Sequence, residues 1–133
     1  MTDSSTRTER PLSPHLSVYR LTLTMVMSGA HRITGVTLYF GTLILVWWLV
    51  AAATSPRNFD LINAVFGTWI GRLVLFGYTW ALFHHMLGGV RHLIWDTGRG
   101  LGPVESRRLA LATLVGSIVL AVLVWAIGLV LRG

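Results

Sequence analysis

Residues 33–55 read ITGVTLYFGTLILVWWLVAAATS, 23 positions without one Asp, Glu, Lys or Arg. A helix of that length rises about 35 Å, enough to cross the roughly 30 Å hydrocarbon core of a bilayer. Two further stretches behave alike: LVLFGYTWALFHHMLGGV at residues 73–90 and LALATLVGSIVLAVLVWAIGLVL at residues 109–131. With 53% of the 133 residues hydrophobic and 12% charged, a water-soluble domain is a poor reading. The pattern predicts an all-α integral membrane fold with three transmembrane helices, spanning about 29–53, 68–93 and 108–131. These form one membrane domain, residues 28–133, preceded by a cytoplasmic or interfacial segment, residues 1–27.

The charge pattern orients this bundle. The net charge of +6 comes from eleven arginines, with no lysine, against five acids. Most arginines flank the apolar spans instead of forming one solvated face, so no nucleic-acid partner is expected. Arg7, Arg10, Arg20 and Arg32 precede the first span, and Arg91, Arg99, Arg107 and Arg108 surround the second connection. Only Arg57, Arg72 and Arg132 lie at the other ends. The positive-inside rule therefore places the N-terminus and the second connection in the cytoplasm (or matrix), with the C-terminus outside. Trp47, Trp48, Trp69 and Trp125 then fall at the outer level, and Tyr19 and Trp95 at the inner one, as an aromatic belt requires.

Residues 1–10 are polar and lack a cleavable apolar leader, so the first span is expected to stay in the mature chain. Pro11-Leu12-Ser13-Pro14-His15 prevents an ordinary helix from starting there, residues 16–27 suit the interface, and Ser28 is a candidate helix cap. The composition Ser55-Pro56-Arg57-Asn58 ends the first span by about Ala53, and a glycine-rich loop closed by Pro103 joins the last two spans. Gly67 and Gly71 have the small-xxx-small spacing of close helix contacts, though at a span's edge. The third span carries no strongly polar side chain and reads as scaffold. The absence of cysteine excludes disulfides and thiolate or iron–sulfur ligation by this chain.

Chemistry concentrates in His84-His85-Met86-Leu87-Gly88-Gly89-Val90-Arg91-His92, three imidazoles and a guanidinium where a lipid-buried helix tolerates little polarity. His85 and His92 are seven residues apart and share a face, with His85 about 10 Å deeper. Neutral imidazole is a common axial ligand of haem iron, and Gly88 and Gly89 beside His85 give a flat macrocycle room against the backbone. The plainer reading is a hydrogen bond from His85 to a neighbouring helix. One helix cannot supply both axial ligands, so a bis-histidine haem takes its second from another chain. His84 is rotated by about 100° and is expected to face another surface, making a hydrogen bond or touching another subunit. Arg91, His92 and Asp96 sit at the inner boundary, where snorkelling or the start of the loop explains them as readily as a site does.

At the matching depth of the first span lies Ser28-Gly29-Ala30-His31-Arg32-Ile33-Thr34-Gly35. Cations there suit haem propionates, and a hydroxyl with a guanidinium suits the carbonyl oxygen of a quinone. An inner-boundary anchor accounts for Arg32 alone, but not for His31 or the glycines around it.

Three ordered motifs now carry a resemblance: Arg10-Pro11-Leu12-Ser13-Pro14-His15-Leu16 with Tyr19-Arg20; Ser28 through His31-Arg32 to Thr34-Gly35; and His85 through Gly89-Val90-Arg91-His92 to Asp96. Over nearly its whole length the chain resembles the cytochrome b556 membrane-anchor subunits of succinate dehydrogenase, respiratory complex II. The resemblance implies that His85 is one axial ligand of haem b, shared with a second membrane-anchor subunit. It implies that Ser28 and Arg32 help bind ubiquinone, that His31 and Arg32 lie near the haem propionates, and that a flavoprotein and an iron–sulfur subunit dock on the cytoplasmic face. It also implies a multi-pass protein of the bacterial inner membrane. The doubled histidine is a departure, and spacing to His92 selects His85 over His84.

The expected function is electron transfer from the iron–sulfur subunit to ubiquinone, with no catalysis by the isolated chain. It contains no carboxylate pair, activated nucleophile or nucleotide motif. The rivals are a haem-free structural anchor or small transporter component, and the anchor of a quinol:fumarate reductase.

Overall fold

Apolar runs of this length satisfy every backbone group within one segment only by becoming helical. The computed structural model describes residues 19–132, and among them are four helices and no strand: α1 (Leu23–Thr54), α2 (Pro56–Gly67), α3 (Trp69–Asp96) and α4 (Pro103–Arg132). Helices α1, α3 and α4 are long and apolar enough to cross a membrane. With 32, 28 and 30 residues they exceed the apolar runs at their cores, and so reach beyond a hydrocarbon layer of about 30 Å. Hydroxyls that would otherwise be stranded in lipid bond back to their own helix: Thr37 to the Ile33 carbonyl at 2.9 Å, Thr42 to Leu38 at 2.8 Å and Thr113 to Leu109 at 2.9 Å.

Small residues form the contact lines between helices. The buried positions include Gly41 and Ala51 on α1, Gly71, Ala81 and Gly88 on α3, and Ala110, Thr113, Ser117 and Ala121 on α4. Leu, Val, Ile and Trp side chains point outward in large number. This inverts the arrangement of a soluble bundle, because lipid tails are as apolar as leucine and only close backbone approach rewards helix association. Helix α3 packs against all three others. It runs antiparallel to α1, with Tyr78 over Gly41 and His85 over Gly35, and antiparallel to α4, where Trp125 donates to the Thr79 hydroxyl at 3.1 Å.

Two local expectations are corrected. Ser28 caps nothing: α1 starts five residues earlier behind Thr22, because no Pro or Gly interrupts residues 22–28 and the helix propagates through them. The first connection is not a simple turn either. Ser55 turns the chain, its hydroxyl accepts from the Asn58 N–H at 3.3 Å, and Pro56 opens a second helix at a position where its missing N–H is harmless. The resulting α2 is amphipathic: Ile62 is fully buried, and Trp48 of α1 meets the Phe59 ring at 5.6 Å and donates to Asn63 Oδ1 at 3.2 Å. Gly67 and Gly71 consequently fall on different helices, separated by Thr68, which caps α3 by accepting from the Gly71 N–H at 3.1 Å. The second connection is the expected glycine loop, with Gly98 and Gly100 at φ of 76° and 72°, where only glycine is unstrained. The Arg10–Leu16 motif and most of the 1–27 segment lie outside the described residues.

Candidate functional site

Polar side chains gather where the first half of α1 crosses the second half of α3. Helical phase turns His31 toward α3 and Arg32, one residue on, outward. The His31 ring lies over Gly88, so close that a methyl group there would stand 2.2 Å from its Cδ2. It stacks on His85 with centroids 4.1 Å apart and planes within 10°, and meets His92 edge-on at 5.4 Å. His85 and His92 therefore share a face as their spacing predicts, and His31 joins them from the facing helix.

His85 is held from α1. Its Nδ1 lies 3.1 Å from the His31 carbonyl oxygen and 3.5 Å from the Thr34 hydroxyl. A carbonyl only accepts, so His85 Nδ1–H is the donor and Nε2 carries the lone pair. Gly35 leaves the space this requires, since a Cβ there would lie 2.9 Å from His85 Cε1. The ring is half-buried, and its Nε2 is neither hydrogen-bonded to a described residue nor sealed within the bundle. One nitrogen is thus anchored to backbone while the other is left free, an arrangement that can serve a ligand. Among the described residues no three His, Asp or Glu side chains converge to hold a bare metal ion. The free Nε2 of His85 instead suits a prosthetic group completed from elsewhere.

The glycines divide their work differently from expectation. Gly88 is filled by His31 and gives α1 its close approach, whereas Gly89 has nothing within 4 Å and keeps open space beside His85. His84 is also corrected. It does not face another subunit but is 1% exposed, inside the bundle, 5.2 Å from the Trp80 ring, with both ring nitrogens unpartnered among the described residues. Arg91, seven residues on, is buried on the same face. The same heptad spacing that paired His85 with His92 pairs these two, a signal present in the sequence and not used.

Ser28 and Arg32, one turn apart, are exposed and line an open groove with Tyr19, Thr24, Met25 and Gly29 on the outer flank of α1. A hydroxyl and a guanidinium on one groove can donate together to one acceptor oxygen. Asp96 closes α3 and is exposed, as is His92.

These features define a three-span helical membrane protein with an interhelical cluster of polar side chains around His85. The chain belongs to the succinate dehydrogenase/fumarate reductase transmembrane subunit family, whose model matches residues 6–124. It is 48% identical over 117 residues to the succinate dehydrogenase cytochrome b556 subunit of Paracoccus denitrificans, covering 88% of this chain and 90% of that one. The protein of the same name from Rickettsia felis is 36% identical over 117 residues, covering 88% and 91%. The mitochondrial succinate dehydrogenase cytochrome b560 subunit of Sus scrofa is 39% identical over 97 residues, 69% of this chain and 56% of that one.

Proposed function

We propose that this chain is the haem b-containing membrane anchor of a succinate dehydrogenase, delivering electrons from an iron–sulfur subunit to ubiquinone. The observation that carries the reading is the His85 arrangement. A Nδ1–H fixed on the His31 carbonyl and a free Nε2 form half of an axial ligation site, and a plain helix-to-helix hydrogen bond does not require Nε2 to be left open. When bound, haem b supplies a one-electron carrier within the membrane.

This chain's residues have separable tasks. His85 Nε2 would hold the haem iron, with a second histidine supplied by a second anchor subunit. His31 and Arg32 offer donors to the propionates. Ser28 and Arg32, sharing the outer groove, donate hydrogen bonds to a ubiquinone carbonyl oxygen and hold the ring as two electrons and two protons convert it to ubiquinol. Arg91, His92 and Asp96 border the site. In the proposed assembly a flavoprotein subunit oxidises succinate and an iron–sulfur subunit passes the electrons on, both on the cytoplasmic face of a bacterial inner membrane. The N-terminus lies on that face. Relatives named for succinate dehydrogenase favour this direction over quinol-dependent fumarate reduction.

Two measurements test the reading on the purified complex. In His85→Ala the b-type band of the reduced-minus-oxidised spectrum is lost; an unchanged band sinks the ligand assignment. Arg32→Ala lowers ubiquinone reduction while succinate oxidation by an artificial dye is spared, and equal losses in both assays would remove Arg32 from the quinone site.

A further inference from the structure

Arg91 is the one Arg, Asp or Glu among the described residues that the bundle buries, at 3% exposure. Its Nε and Nη1 find no hydrogen-bond partner, and Asp96 and Glu105, the acids nearest in sequence, are exposed. The Trp95 ring, 5.1 Å from Cζ, covers one side of the guanidinium without supplying an acceptor. A cation so placed in an apolar bundle is costly unless an anionic oxygen reaches it, and none of the described residues offers one.

The access route is a groove of about 130 Å³ between α3 and α4, lined by Leu87, Val90, Arg91 and Ile94 from α3 and by Leu109, Ala112 and Thr113 from α4. A groove of that volume admits the phosphate end of a lipid and not a whole lipid. Apart from Arg91, the lining offers little polarity, since the Thr113 hydroxyl is spent on the Leu109 carbonyl. The occupant therefore joins an anionic head to an apolar body. The groove lies at the end of the bundle where α3 stops and α4 starts, beside exposed Arg99, Arg107 and Arg108, whose summed field attracts anionic headgroups. It opens toward α4, whereas His85 faces α1, so the groove opens on the other side of α3 from the proposed haem ligand.

We propose that the α3–α4 groove binds an anionic phospholipid, with Arg91 donating to the phosphodiester oxygens and an acyl chain lying along Val90 and Leu109. The site goes beyond the electron-transfer reading and does not depend on it.

The experiment uses the complete complex in detergent, washed in mixed micelles of phosphatidylcholine with or without phosphatidylglycerol, with retained lipid read by native mass spectrometry. Wild type retains phosphatidylglycerol through washing that strips phosphatidylcholine. Arg91→Gln lowers that retention about tenfold, the loss expected when a charge-assisted hydrogen bond is removed. Ala112→Phe, which fills the groove and leaves the cation in place, lowers it as well and covers the case in which Arg91→Gln does not assemble. Equal retention of the two lipids by wild type overturns the proposal, as does unchanged phosphatidylglycerol retention in both variants. Displacement of the lipid by millimolar inorganic phosphate makes this a free-anion site and also overturns it. So does release of partner chains from Arg91→Gln with lipid retention intact in Ala112→Phe, which assigns the guanidinium to a partner's carboxylate. The b-type band is recorded in parallel, so loss of the haem reading is distinguishable from loss of lipid preference.

Discussion

His31, Gly35, Gly88 and His85 form one contact between α1 and α3, and each glycine is set by the imidazole opposite it. A Cβ at Gly88 would collide with His31 at 2.2 Å, and one at Gly35 would crowd His85 at 2.9 Å. Gly88→Ala is therefore expected to destabilise the bundle by about 1–3 kcal/mol, the range for forcing extra volume into a packed site. Gly89→Ala meets open space within this chain and should leave Tm of the haem-free bundle at or slightly above wild type in the same thermal melt. Equal shifts for the two variants would refute the contact. The sequence disclosed the face shared by His85 and His92, because helical phase depends on spacing alone. It did not disclose that His84 and Arg91, at the same spacing, are the buried pair. Phase tells which residues share a face, while burial depends on where the neighbouring helix lies.

Helix α2 and its two corners show the same division one level up. Ser55-Pro56 is a helix-start signature, yet in the sequence it reads equally as the end of α1, and the structure uses it as both. Ser55→Ala should loosen α2 by about 1 kcal/mol through loss of the cap, seen as faster hydrogen exchange over residues 57–62. Gly71→Ala is expected to be more damaging, because its Cβ would stand 2.4 Å from the Val65 carbonyl oxygen, and backbone cannot rotate aside as a side chain can. A melt in which Ser55→Ala is the worse of the two would contradict this account of the α2–α3 corner. The three spans were legible because each is a long apolar run. Their ends were less so, since helix propagation continues past the last apolar residue until Pro, Gly or a cap intervenes.

The whole bundle exposes many large apolar side chains and gathers the histidines of its described residues with Arg91 near one end, between α1, α3 and α4. With a single prepared imidazole nitrogen on His85, the chain holds half of the proposed axial pair. Produced without the second anchor subunit, it is expected to reach the membrane and carry only background haem, measured as absorbance per chain; stoichiometric haem in the isolated chain would refute the shared site. The sequence by itself determined the class of fold, three membrane-spanning helices, because hydrocarbon admits few alternatives to a long apolar helix. It also determined which residue types could do chemistry, because ionisable groups are scarce in such helices. Only the tertiary structure decided what each does. The His31 carbonyl fixes the proton on His85, and packing buries Arg91 without a counter-charge among the described residues. The physical reason is that hydrogen-bond direction and desolvation are properties of contacts between helices, whereas spacing along one helix records only which residues lie side by side.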